Sequence, residues 1–458
     1  MNRSPHQLPP LWRVLTVLLV GALFTPALVA APATETVATP ASGATAAPTT
    51  DQTPAALTLT PAEAAALALR NSLQLRRHAT SVQQAEARLR QAQTQSNATT
   101  SASAYSSWTT PTPAAIRSLT EGITVTLTKP LYTGRRVQTQ TELARRNVDV
   151  AGAQAPVTAS DLTLNAYQQI YNILRLEQLA GVSSQDATTV AEHLRVTKAM
   201  EAQGTVANFE VVQAETRLAQ AKGDIISAQT RVQQAYAELA RLLTLPQTTQ
   251  LTAREGVPLP VPDATLTDLL TRAWGQRPEM ALAERELRAA EASLRVIHHS
   301  TDVQVNLVAS ANQETASMAS EPVNVGVSVS LTKPLSDGGL RRAQEQEQQA
   351  AIDDVKLQID SIKNDISLNV RQAILSVAEA REQLRVAEAG ETNAREQLRL
   401  AQIRYAAGLT TGVEVLDAET ALASAETSTV NARYDLQTAV VELHQAVGDL
   451  TALELGAP

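Results

Sequence analysis

The chain has 458 residues, a formal net charge of -8, 18% charged and 3% aromatic residues, and no cysteine. The missing thiols exclude disulfides, thiolate metal sites, cysteine nucleophiles and a lipid-bearing N-terminal cysteine. An acidic balance without a basic, aromatic-interleaved patch argues against a nucleic-acid partner, and abundant Ala, Gln, Leu and Glu suit long, closely packed helices better than a thick globular core.

Taken in chain order, Arg3 and Arg13 flank the start of the apolar run Val14 to Leu23, and the small residues Val29, Ala30 and Ala31 follow. That pattern predicts a signal peptide over 1–31. The run is short for a membrane span, and no later stretch approaches about 18 uninterrupted apolar residues, so the exported chain is expected to carry no transmembrane helix. Residues 32–56, rich in Pro, Ala and Thr without periodicity, read as a flexible leader to which no function is assigned.

The rest of the chain repeats itself. VTLTKPL at Val125 to Leu131 answers VSLTKPL at Val329 to Leu335, and GTVANFEVVQAE from Gly204 answers GLTTGVEVLDAE from Gly408. Lys129 and Lys333 are 204 positions apart, as are Gly204 and Gly408. Two matches at one spacing predict two copies of one unit, over 57–256 and 265–450, joined by a Pro-rich linker at 257–264 and followed by a tail at 451–458.

Each copy gives the same signals: a short helix (Ala62 to Arg70; Leu266 to Ala273), then a medium helix ending near Gln95 or Ile297. A stretch of period-two alternation follows, then a very long helix to Gly204 or Gly408, and a returning helix ending near Leu243 or Val447. In the second copy, the positions from Ile352, Val355, Ile359, Ile362 and Ile366 through to Leu398, Ala401 and Tyr405 keep spacings of three and four. That is a coiled-coil seam, with Glu391 as its one charged member and a stutter around Ile362, Ile366 and Val370. Pro156, with Gly152 beside it, is expected to kink or interrupt the first long helix, because proline lacks a donor and clashes with the preceding turn.

Strands are expected at about 98–108 and 121–129 in the first copy and at about 302–312 and 322–333 in the second. Val323, Val325, Val327, Val329 and Leu331 alternate with small and polar residues. Segments of roughly ten alternating residues fit one crossing of a tilted membrane barrel strand, or a soluble antiparallel sheet with one wet face. Four strands are too few to close a barrel, and lipid does not tolerate an open sheet edge. Membrane strands would therefore require several chains to share one barrel, and the arithmetic alone allows two or three.

The signal peptide, the duplicated unit, the strand–LTKPL–Gly–long helix order and the element Tyr405, Gly408 and Val413 to Glu419 together resemble the TolC-like outer-membrane factors, over essentially all of residues 57 to 450. The resemblance implies a mainly α fold, with long coiled-coil helices forming a periplasmic α-barrel and four strands per chain contributing to a shared twelve-stranded β-barrel. It implies a homotrimer set in outer-membrane lipid and reaching into the periplasm, which serves as the exit duct of an efflux or type I secretion system. Its partners would be a periplasmic adaptor protein and an inner-membrane transporter; no cofactor, metal or catalytic residue is implied.

Carried over residue by residue, Lys129, Pro130, Lys333 and Pro334 would mark strand-to-helix junctions, where proline ends the ladder and presets a helical φ. Gly204 and Gly408 would be the hairpin-tip turns and adaptor-docking points. Glu210, Glu414 and Asp417 would form an acidic ring at the periplasmic constriction. Tyr405 and Thr410 would belong to a tip lock; Thr410 stands where the well-studied members carry an arginine, which weakens the case for a lock made by that charge.

Independently of the resemblance, Glu414 and Asp417 lie three apart on one helix face, where repetition about an axis would favour cations. The same carboxylates also suit a helix N-terminus. Enzyme signals are missing: the six histidines, including the pair His298–His299, have no metal-ligand spacing, and there is no nucleophile elbow or phosphate loop. A periplasmic adaptor or coiled-coil scaffold is the rival reading, and it leaves the strands and LTKPL repeats unexplained.

Overall fold

The computed structural model describes residues 57–109, 118–262, 264–316, 319–320 and 322–450. The expected signal peptide, leader and tail lie outside them. In chain order the elements are β1 (Leu57–Leu59), α1 (Pro61–Asn71), α2 (Leu73–Thr94), β2 (Thr99–Thr109), β3 (Ser118–Tyr132), α3 (Arg136–Ala202), α4 (Asn208–Leu242) and β4 (Leu251–Ala253). Then come α5 (Leu266–Gln276), α6 (Pro278–His298), β5 (Gln304–Ala316), β6 (Ala319–Ser320), β7 (Asn324–Thr332), α7 (Leu340–Ala406) and α8 (Gly412–Val447).

Helices α3 and α7 are both 67 residues long, roughly 100 Å at the standard rise. Each is matched by two shorter helices laid along it in succession. Helices α2 and α4 pack on α3, and α6 and α8 pack on α7. Because α6 and α8 also touch α3, one long helix sits between neighbours on both sides, while α7 keeps an unpartnered face. Leu357, Leu368, Leu375, Val386, Leu400 and Ile403 on α7 are exposed, whereas Ile352, Ile359, Ile366, Val370, Val377, Leu398 and Ala401 of its three–four stripe are buried.

The first long helix runs through Pro156 as one element, so the proline does not interrupt it. Proline removes one donor and crowds the carbonyl four residues back. That carbonyl belongs to Gly152, whose missing side chain leaves open space around it. One lost bond among the many of a long helix packed on both sides does not end it.

Local chemistry sets the element ends. Thr60 forms a capping box with Glu63, Pro61 occupies the first turn, and the backbone N–H of Thr60 donates to Glu63 at 2.8 Å. Strands β1 and β4 pair in parallel as a small two-stranded sheet, and the others form an antiparallel sheet in the order β2–β3–β5, with β6 and β7 both paired to β5. Thus β2 and the long face of β7 are open edges. β3 and β5 run longer than the alternation suggested, to 15 and 13 residues, and β7 is trimmed to Asn324–Thr332.

Pro130 does not end its ladder. It pairs with Asn306, and β3 continues past a register shift to Tyr132. Strand β2 pairs no further along than Thr128, so Pro130 has a free flank on which its missing donor costs nothing. Pro334 lies just past the end of β7, and Lys129 instead closes the end of α2, donating from Nζ to the Ser96 carbonyl at 2.9 Å.

Cross-strand registers sort the sheet into two faces. Ala102, Val125, Ala311 and Val325 form one row, and Thr100, Leu127, Ala309 and Val327 the next. The opposite face carries Ser101, Thr126, Ser310 and Gly326, then Ser103, Thr124, Asn312 and Asn324. One chain therefore presents an apolar sheet face to its surroundings: Val325, Val327, Val329 and Leu331 are 62–75% exposed. No helix among the described residues is long and apolar enough to cross a membrane.

Gly134 links β3 to α3 at φ +61, where an added Cβ would collide with the Cβ of Asp302. Asp302 accepts from the Arg135 N–H at 3.0 Å and from His299. Gly204 also has a positive φ, +73, but open space around it. Alanine costs about 1–2 kcal/mol at either position through the left-handed backbone, and at Gly134 it also displaces Asp302. Gly134→Ala is therefore expected to lower the thermal midpoint more than Gly204→Ala, as measured by near-ultraviolet circular dichroism; equal shifts would contradict the Asp302 contact.

Candidate functional site at the hairpin tips

Gly204 and Gly408 end the two long helices in the left-handed region, at φ +73 and +70. The N–H groups of Thr205 and Leu409 reach back to the carbonyls of Met200 and Arg404 at 3.0 and 2.8 Å, the six-to-one bond of a Schellman cap that glycine makes accessible. The chain then enters α4 and α8, with Glu210 and Glu414 in their first turns, where the helix dipole favours a carboxylate.

The two tips are tied together inside one chain. Tyr405, buried at the end of α7, donates its hydroxyl to Glu210 Oε2 at 3.1 Å. Its ring packs with Leu398, Ala401, Val415 and Ala418, against Val196 and Met200 of α3. Glu210 Oε2 lies so near Gly412 that a Cβ there would stand 2.9 Å from it. Burial and the Glu210 carboxylate both push the Tyr405 hydroxyl up, so it stays a neutral donor.

Within the chain the expected acidic residues have different partners. Glu414 is bound inside its own hairpin, by Arg404 Nη1 at 2.7 Å and by the Thr410 hydroxyl. Glu210 is turned to Tyr405. Asp417 is solvent-exposed one turn further along α8. Thr410 thus engages a carboxylate through its hydroxyl, and the cation comes from Arg404, which sequence reasoning passed over. Its signal was the spacing Arg404, Thr410 and Glu414 across a tight Gly turn. With both side chains about half exposed, the Arg404–Glu414 pair contributes under about 1 kcal/mol.

Sequence reasoning also missed two buried ionisable groups behind Tyr405. His193 of α3 and Glu419 of α8 are 7% and 2% exposed, with Nδ1 and Oε1 3.8 Å apart. The imidazole lies against the Tyr405 ring at 5.5 Å between centroids. No group of three or more potential metal ligands occurs among the described residues.

Comparison with known proteins points one way. Residues 269–449 match the family model for outer membrane efflux proteins. The chain is 24% identical over 340 residues to the pyoverdine export outer membrane protein OpmQ of Pseudomonas aeruginosa, covering 73% of this chain and 70% of that one. Among solved structures, CusC superposes with a TM-score of 0.72 at 17% identity, covering 85% of this chain and 92% of CusC. The outer membrane protein VceC of Vibrio cholerae superposes with a TM-score of 0.69 at 16% identity, covering 85% and 96%.

Proposed function

We propose that the chain is an outer membrane efflux protein and the passive exit duct of a tripartite export system, gated at its periplasmic end by the two hairpin tips. It is an outer-membrane efflux channel, and the family consists of channels, not enzymes. In this reading three copies assemble, each supplying four long strands to a twelve-stranded barrel and its helices to a tunnel beneath it. An inner-membrane transporter and a periplasmic adaptor deliver cargo to the tips.

One observation carries the reading: a sheet with two open edges and an exposed apolar face, which is unfavourable in water and unsealed in lipid until other copies complete it. The unpartnered face of α7 supports the same assembly, because long helices with exposed Leu, Val and Ile need a neighbour. The parallel helix lengths of the two halves support the duplication, so that each protomer brings two similar hairpins to the ring. At the tips, Glu210 and Glu414 would set a cation-favouring constriction with Asp417, Tyr405 would hold it shut, and Gly204 and Gly408 would present the docking turns. Fractionation followed by electrophoresis without boiling tests the assembly: a heat-labile trimer in the outer-membrane fraction is expected, and a soluble periplasmic species would return the adaptor or scaffold reading.

A further inference from the structure

His193 and Glu419 take no part in the ties between the tips, yet both are buried where α3 meets α8. Neither oxygen of Glu419 has a hydrogen-bond partner among the described residues, and 3.8 Å to the imidazole is too long for one. The charges around the pair are already committed. On α3, Asp186 is held by Arg217 of α4 through both oxygens, at 3.0 and 2.7 Å. Glu210 of α4 accepts from Tyr405 of α7, while Arg395 of α7 binds Glu391 at 2.7 Å and Glu426 of α8 at 3.3 Å. Among the described residues no cation is paired with Glu419, which lines a cavity of about 260 Å³ together with Asp186, Arg395 and Glu426.

We propose that His193 and Glu419 are a paired latch: opening the α3–α8 seam exchanges a proton on the carboxyl for one on the imidazole, so that the proton count of the seam hardly changes around pH 6. The inference rests on the reading of the tips as a gate, since separating α8 from α3 is what opening them would require. Burial, reinforced by Asp186 and opposed by Arg217, raises Glu419 to about 7 from 4.5. Burial lowers His193 from 6.5, with Glu210 opposing. Below about pH 7 the packed seam therefore holds a neutral carboxylic acid beside a neutral imidazole, an arrangement that leaves no unpaired buried charge.

The two groups pull in opposite directions. A raised carboxyl favours packing at low pH and loses that contribution as pH climbs from 4.5 through about 7. A lowered imidazole favours packing above 6.5 and loses that contribution as pH falls from there. Around pH 6 the separated seam carries its one proton on His193 and the packed seam carries one on Glu419, so proton count does not change on opening. Single substitutions unmask the opposing halves.

The test is hydrogen exchange of the full-length protein in detergent from pH 5.5 to 8.5, read as protection factors over residues 190–200 and 412–422 so that intrinsic pH dependence cancels. The wild type is expected to vary less than His193→Gln, because the two contributions oppose each other. Glu419→Gln should lose protection, by up to about tenfold, from pH 7.5 to 5.5, and His193→Gln about tenfold or more from pH 5.5 to 8.5, in the opposite sense. The double variant should be flat, and it provides the reading should either single variant assemble poorly on unboiled gels; a double variant that varies with pH overturns the latch. Single-variant profiles parallel to the wild type overturn it as well. Bilayer conductance is recorded separately: profiles that split while conductance stays constant sustain the latch and remove the gate reading.

Discussion

Val327→Arg is expected to abolish the heat-labile oligomer, while Ser328→Arg, its neighbour on the same strand, leaves it standing. Val327 shares its row with Ala309, Leu127 and Thr100, on the face that carries the alternating Val residues of β7. Ser328 pairs with Val308, on the side where Thr128 and Thr99 lie. If the apolar face meets lipid, an arginine near mid-strand costs about 2–4 kcal/mol per protomer, and a trimer bears that cost three times. On the other face the same side chain enters a hydrated lumen. Electrophoresis without boiling, with outer-membrane fractionation, separates the two cases. Equal tolerance of both substitutions would mean that the sheet does not face lipid, and equal loss would mean that the edge strand β7 fails for reasons of pairing alone.

That contrast was legible in the sequence because alternation is a local code: every second residue of a strand points the same way. The three–four stripe of α7 was legible for the same reason, and Ile352, Ile359, Ile366 and Val370 lie buried along it. What escaped were outcomes of packing between distant segments. Pro156 signalled a kink or a break, and of these the break does not occur, because α3 is packed by helices on both sides. Pro130 signalled the end of a ladder, but whether a missing donor matters depends on how far β2 reaches along the other edge.

The site divides along the same line. Gly204 and Gly408 announced left-handed turns by residue type alone. The partner of Tyr405 could be reached only through the fold, and Arg404, one residue earlier, looked like one more solvated charge on a charged helix. His193 carried no motif. It became informative only when α8 laid Glu419 against it, a contact between the two halves that no spacing within either could disclose.

Tyr405→Phe should open the tips far more than Arg404→Ala does. The tyrosine hydroxyl is the bond at 3.1 Å that joins the second hairpin to Glu210 of the first, and removing it leaves a partly buried carboxylate without its donor. A hydrogen bond to a charged acceptor contributes about 1.5–3 kcal/mol, or at least tenfold in the open-to-closed ratio for each protomer that must release. Arg404–Glu414 lies within one hairpin and is about half exposed, so its loss costs under about 1 kcal/mol and shifts that ratio less than fivefold. Gly412→Ala should act in the same direction as Tyr405→Phe, because the new Cβ would stand 2.9 Å from Glu210 Oε2 and push the acceptor away from the hydroxyl. Planar-bilayer conductance of the three variants ranks them. An Arg404→Ala channel as open as Tyr405→Phe would place the restraint inside the hairpin, whereas the expected order places it at the Tyr405–Glu210 contact, where one hairpin must leave the other before the duct can conduct.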